Sequence, residues 1–133
     1  MSVFVDTSAL YAVLDADDEN HLSALSEWQR LLLDSSQLVT TNYVLVEATA
    51  LLQHRLGVEA VRIFEQDVCP VLGLEWIDEA KHGAGMASVL AAGRRRLSLV
   101  DCVSFTVMRA LGVREAFAFD EHFAEQGFTC LPT

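Results

Sequence analysis

The sequence contains no apolar run approaching the roughly 18 residues that a membrane helix needs. Its N-terminus also lacks a basic segment leading into a long apolar stretch, so no membrane span, membrane partner or secretory signal is expected, and the expected location is the cytoplasm. Cysteine is scarce: Cys69, Cys102 and Cys130 are odd in number, widely spaced and free of any CxxC or histidine pair. That excludes a disulfide framework or zinc ribbon and leaves small hydrophobes in a reducing compartment. Positive charge is scarce too. Nine Lys and Arg against 19 Asp and Glu give a formal net charge of −10, without the basic footprint that phosphate binding usually requires. An acidic chain of this kind binds nucleic acid only where divalent cations invert the local potential, or where its few arginines cluster.

What is present is apolar. Hydrophobic residues make up 52% and charged residues 21% of 133 residues, which suits a layered fold with one core and excludes disorder. No repeat, low-complexity tract or linker divides the chain, so 1–133 is expected to be a single domain. In VFVDTSAL the apolar run Val3–Val5 ends at Asp6, and Thr7 and Ser8 open a helix over residues 7–14. A buried strand thus delivers a carboxylate to the edge where open parallel sheets bind ligands. LDADDEN is an acidic turn. Residues 20–33 read as a helix with a stripe at Leu22, Leu25, Trp28 or Gln29, and Leu32, preceded by His21, a surface histidine. SSQLVTTN supplies a second strand, Asn42 caps a helix from Tyr43 to Leu56, and Gly57 closes it. Residues 58–68 read as a further helix, and Pro70 begins a strand, VLGLEWI. Asp78 caps a helix to about Ala92, ended by Gly93. Ser98 and Asp101 have the spacing of a capping box for a helix running to Leu111 and stopping at Gly112. AFAF is a strand with Asp120 at its carboxyl end; a short helix to Gln126, then Gly127 and an edge strand, FTCL, complete the chain.

Asp6, Asp101 and Asp120 can each be explained singly as caps. Glu47 cannot, because its neighbours three and four residues away, Tyr43, Val44, Ala50 and Leu51, are largely apolar. It reads as a carboxylate on a buried stripe, which needs a partner. If the strands ending at Asp6 and Asp120 are neighbours, all four acids converge. Carboxylates about 4 Å apart repel by about 4 kcal/mol per pair at an effective dielectric near 20, so a cation must sit among them. Oxygen donors without a nearby histidine or thiolate select Mg²⁺ or Mn²⁺. The chemistry that follows is metal-assisted phosphodiester hydrolysis.

VDTSAL, YVLVEATALL, RLSLVDCVSFTVMRALGV and AFAFDEHFAEQGF, in that order over almost the whole chain, resemble the PIN-domain proteins, and more narrowly the VapC-type toxin ribonucleases of bacterial toxin–antitoxin pairs. The resemblance implies a three-layer α/β/α sandwich around a mostly parallel sheet of four to five strands. It also implies a catalytic metal site of Asp6, Glu47, Asp101 and Asp120 holding Mg²⁺ or Mn²⁺. RNA cleavage, a homodimer and inhibition by a small cognate antitoxin are further implications. Ser8 matches the family's hydroxyl after the first acid, as an auxiliary group. Where the family commonly has Thr or Ser two residues before the fourth acid, this chain has Ala118. Arg94, Arg95 and Arg96, the densest basic run, are candidates for contacting the RNA backbone or, alternatively, a solvated loop. Apolar surface on the helices after residues 20 and 42 is the expected dimer interface.

Two other readings stand beside this one. A PIN-like module that captures an antitoxin or RNA with little or no turnover would suit the acidic surface and Ala118. A phosphatase using Asp6 as nucleophile would want a second Asp two residues on, where the chain has Ser8.

Overall fold

Val3, Phe4 and Val5 have no exposed surface, because β1 (Ser2–Val5) is the middle strand of a five-stranded sheet. The structure, a computed structural model, describes residues 1–133. The other strands are β2 (Gln37–Thr41), β3 (Gly73–Glu75), β4 (Glu115–Phe117) and β5 (Thr129–Leu131), in the order β3-β2-β1-β4-β5. Every pairing is parallel, with Val5 opposite Phe117 across β1 and β4. A parallel sheet is covered by helices on both faces, which is why its central strand reads as an unbroken apolar run. The result is the three-layer α/β/α architecture that the sequence implies.

The chain moves from β1 outward to β2 and β3, then returns to the other side of β1 for β4 and β5. The strand order therefore reverses between β1 and β4, and at such a switch point the carboxyl ends of the strands open a crevice. Asp6 follows β1 and Asp120 follows β4, so the two acids are delivered to that crevice from adjacent strands. The Asp6 backbone N–H donates to the Phe117 carbonyl (3.0 Å), tying the two strand ends together.

The helices are α1 (Thr7–Leu14), α2 (His21–Leu33), α3 (Asn42–Leu56), α4 (Val58–Ile63), α5 (Glu79–Ala92), α6 (Leu99–Leu111) and α7 (His122–Glu125). α1 packs on α2 and α3, α3 on α4, and α5 on α6. At the α5–α6 contact, a Cβ on Gly85 would stand 2.5 Å from Cγ2 of Val103, a stiff and buried side chain. Gly85→Ala is therefore expected to destabilise the protein by about 1–3 kcal/mol despite alanine's better helix propensity. A urea midpoint unchanged or raised by this substitution would show that the two helices can separate freely.

Several local expectations are revised. The buried face of α2 is Ala24, Glu27, Trp28 and Leu31, while Leu22 and Leu32 are exposed. Glu27 is tolerated on that face because Arg30, one turn on, pairs with it. Thr41, not Asn42, caps α3, accepting from the Val44 N–H (3.2 Å); Asn42 instead accepts from the Ile77 N–H (2.7 Å) and pins the chain after β3. The helix expected over 58–68 passes from α4 into a π-helical turn at Phe64–Val68. Pro70 lies in a 3-10 turn, Cys69–Val71, so the third strand is reduced to Gly73–Glu75. β4 ends at Phe117, leaving Ala118 and Phe119 to carry the chain to Asp120. Ser98 and Asp101 do form the capping box, and α6 ends at Gly112 in the left-handed region (φ 70°). All three cysteines are free.

Candidate metal centre

Asp6 is buried at the N-cap of α1. Its Oδ2 accepts from the Ser8 backbone N–H (3.1 Å) and from Ser8 Oγ (2.6 Å). Ser8 Oγ in turn accepts from the Phe119 N–H (2.9 Å). One hydroxyl thus bridges the end of β1 to the segment carrying Asp120. Ser8→Ala removes both bonds and strands the Phe119 N–H, with an expected cost of about 1–3 kcal/mol in a urea titration. A loss of only a few tenths would mean that the bridge holds little.

Asp101 enters from the other side as the third residue of α6, also buried. Its Oδ2 accepts from the Ser98 backbone N–H (3.2 Å), which fixes one oxygen. Asp120 is half-buried; its Oδ1 accepts from the His122 N–H (2.9 Å), forming the turn into α7. A carboxylate oxygen of Asp101, one of Asp120 and a ring nitrogen of His122 all lie within 4.8 Å of one another. His122 is buried, and its Nδ1 lies 3.3 Å from Oε2 of Glu125, an oxygen that also accepts from Arg94 (3.0 Å).

His122 was not among the residues singled out in the sequence. Its only signal is its place two residues after a strand-end acid. The next residue, Phe123, is fully buried, its ring packing against Phe4, Phe105 and Phe128. A histidine lies beside these acids, where none was expected nearby.

Glu47 departs most from expectation. It is exposed, because the inward face of α3 is Val44, Ala48 and Leu52. Of its four neighbours three and four residues away only Val44 is buried, and apolar neighbours do not place a helical residue on the buried side when the tighter stripe runs one position away. Glu47 nonetheless borders the crevice, in a cleft with Tyr43, His82, Leu99 and Val100, and its charge reaches Asp101. The arginine run also divides: Arg94 is paired with Glu125, whereas Arg95 and Arg96 are exposed and without a partner.

The electrostatics follow from burial. Removal from water pushes the Asp6 carboxyl up from 3.8 to about 7; its two bonds from Ser8 oppose this, and the charges of Asp101 and Asp120 add to it. Asp101 is raised as well, first by burial, with Asp120 and Glu47 contributing. Burial alone would lower His122, but the bond to Glu125 and the charges of Asp120, Glu125 and Asp101 outweigh it and raise it. No lysine or arginine forms an ion pair with Asp6, Asp101 or Asp120. Asp6 and Asp101, buried, raised in part by neighbouring carboxylates and without a lysine or arginine partner, fit a bound divalent ion.

The sequence matches the PIN domain family over residues 3–128. The chain belongs to the PIN domain family. Among its relatives is the 23S rRNA-specific endonuclease VapC20 of Mycobacterium tuberculosis, found in two strains, 32% identical over 127 residues and 95% covered in each chain. The crystal structure of VapC20, described as a toxin that cleaves the sarcin–ricin loop, matches with a TM-score of 0.81 over 96% of both chains. FitAcB from Neisseria gonorrhoeae, 14% identical, shares the fold with a TM-score of 0.68, covering 98% of this chain and 96% of its own. This PIN-domain protein is of the VapC type. It has no helix long and apolar enough to cross a membrane.

Proposed function

We propose that the chain is a metal-dependent endoribonuclease, the toxin of a toxin–antitoxin pair, acting as one nuclease domain over residues 1–133. The observation that carries this reading is the convergence of buried Asp6 and Asp101 and half-buried Asp120 at the β1–β4 switch point, without a lysine or arginine paired to them. Asp101 and Asp120 would hold the ion with Asp6 beside them. Glu47, at the open side of the crevice, would reach it through solvent or substrate. Ser8 would fix Asp6. A bound Mg²⁺ or Mn²⁺ supplies charge stabilisation at the scissile phosphate and acidifies the attacking water.

The side chains perform the remaining tasks. Asp6, raised to about 7, would give up its proton near neutral pH in favour of a bound cation. The exposed Arg95 and Arg96 would meet the RNA backbone, while Arg94 is committed to Glu125. Ala118 is buried and its N–H is bonded to the Leu131 carbonyl (3.2 Å), so no hydroxyl from that position serves the site. The Ser8 hydroxyl ties Phe119 to Asp6.

The likeness to VapC20 supports RNA as substrate, with the sarcin–ricin loop of 23S rRNA the first sequence to try, and favours turnover over a non-catalytic binding module. It also supports a small antitoxin as partner and a cytoplasmic location. Exposed Leu22, Leu32, Leu33 and Val46 on α2 and α3 offer apolar surface for a homodimer. The test is incubation of purified protein with a synthetic sarcin–ricin RNA, unrelated RNAs and Mn²⁺ or Mg²⁺. Cleavage that stops with EDTA and in Asp101→Asn is expected. Cleavage that persists in both, or no cleavage of any RNA, would contradict the proposal.

A further inference from the structure

The geometry points to His122 as a nitrogen ligand of the ion between Asp101 and Asp120, oriented by Glu125, giving this site a preference for Mn²⁺ over Mg²⁺. The inference rests on the ribonuclease reading in one respect, that this is the ion the enzyme uses.

Three observations carry it. One ring nitrogen lies within 4.8 Å of a carboxylate oxygen on each acid, and only 8% of the residue is exposed, so the imidazole belongs to the crevice and not to the surface. Nδ1 faces Oε2 of Glu125 at 3.3 Å, and in the tautomer that donates a proton from Nδ1 to that carboxylate, Nε2 keeps a lone pair for an ion. Glu125 is itself anchored by Arg94 at 3.0 Å. A carboxylate behind an imidazole is the usual support of a metal-bound histidine, setting its tautomer and ring orientation. The spacing is also built into the backbone: the His122 N–H donates to Asp120 Oδ1 at 2.9 Å, so the two side chains leave one turn together. Imidazole suits transition metals, whereas Mg²⁺ keeps to oxygen and water, so a nitrogen in this position biases the choice of ion.

The rival role for His122 is that of a protonated counter-cation among the acids. The two roles predict opposite signs. Removing a ligand weakens Mn²⁺ binding; removing a buried positive charge strengthens it.

Calorimetric titration of the metal-free, full-length protein with Mn²⁺ and with Mg²⁺ at neutral pH separates them. Wild type is expected to bind Mn²⁺ about 10-fold or more tightly than Mg²⁺. His122→Ala is expected to weaken Mn²⁺ about 10- to 100-fold with little effect on Mg²⁺, and Glu125→Gln to weaken Mn²⁺ by up to about 10-fold while leaving Mg²⁺ unchanged. Pulsed EPR of bound Mn²⁺ should show nitrogen coupling in wild type that disappears in His122→Ala. Circular dichroism checks the fold; if His122→Ala does not fold, the Glu125→Gln titration and the wild-type EPR spectrum decide. Mn²⁺ affinity unchanged or tightened in a folded His122→Ala, or no nitrogen coupling in wild type, overturns the ligand role and leaves the ribonuclease standing. Wild-type protein that binds neither ion overturns both.

Discussion

Asp6→Asn is expected to lower RNA cleavage about 100- to 1,000-fold and, without divalent ions at pH 8, to melt at a higher temperature than wild type. The loss follows from removing one negative oxygen from the group that neutralises and orients the ion, whose stabilisation of the transition state is worth several kcal/mol. The gain has a different origin. With a folded pKa of about 7 against 3.8 for a free side chain, ionised Asp6 destabilises the metal-free fold by on the order of 4 kcal/mol. Asparagine carries no such charge, still accepts from Ser8 and remains a good N-cap. Single-turnover cleavage and thermal melts in EDTA check the two halves separately. A variant that is inactive and also less stable would make Asp6 a structural residue.

Metal-free wild type is expected to lose stability as pH rises, a loss of about 10 °C or more in Tm across the Asp6 transition. The folded state prefers the protonated carboxyl, so the contribution of Asp6 is most favourable below its unfolded value of 3.8. It declines as pH passes through about 7 and is fully lost above that. Saturating Mn²⁺ should reverse the trend, restoring about 2.7 kcal/mol at 100 times Kd, because the ion binds the ionised carboxylates of the folded state alone. Melts from pH 5 to 8, with EDTA and with Mn²⁺, test this against Asp6→Asn, whose metal-free profile should be flatter. A wild-type profile as flat as the variant's would remove the raised carboxyl from the explanation.

The frame of the site was legible because its signals are local. Val3–Val5 running into Asp6 marks a central parallel strand, and the Ser98–Asp101 spacing marks a helix start; neither depends on distant contacts. Adjacency of β1 and β4, which brings Asp6 and Asp120 together, was inferred as a condition of convergence and is what the sheet order provides. Glu47 was misread because helical windows count apolar neighbours without knowing which of two adjacent stripes meets the sheet; Val44, Ala48 and Leu52 do, and Glu47 lies off them. The α2 stripe held at Leu25 and Trp28 and failed at its ends for the same reason, with Leu22 and Leu32 exposed beside Ala24 and Leu31. His122 carries little local signal: the short α7 that holds it is seated by Phe123 on rings from β1, α6 and the segment after α7, distant in sequence. The family resemblance supplied what these local patterns could not, the expectation that four separate acids serve one site.

The most direct measurement is an anomalous difference map from crystals of the protein soaked in Mn²⁺, collected at the manganese edge. The prediction is a peak in the crevice between β1 and β4, coordinated by Asp101 and Asp120 with Asp6 beside it, and absent from Asp101→Asn crystals. No peak at that crevice, or the same peak in the variant, would contradict it.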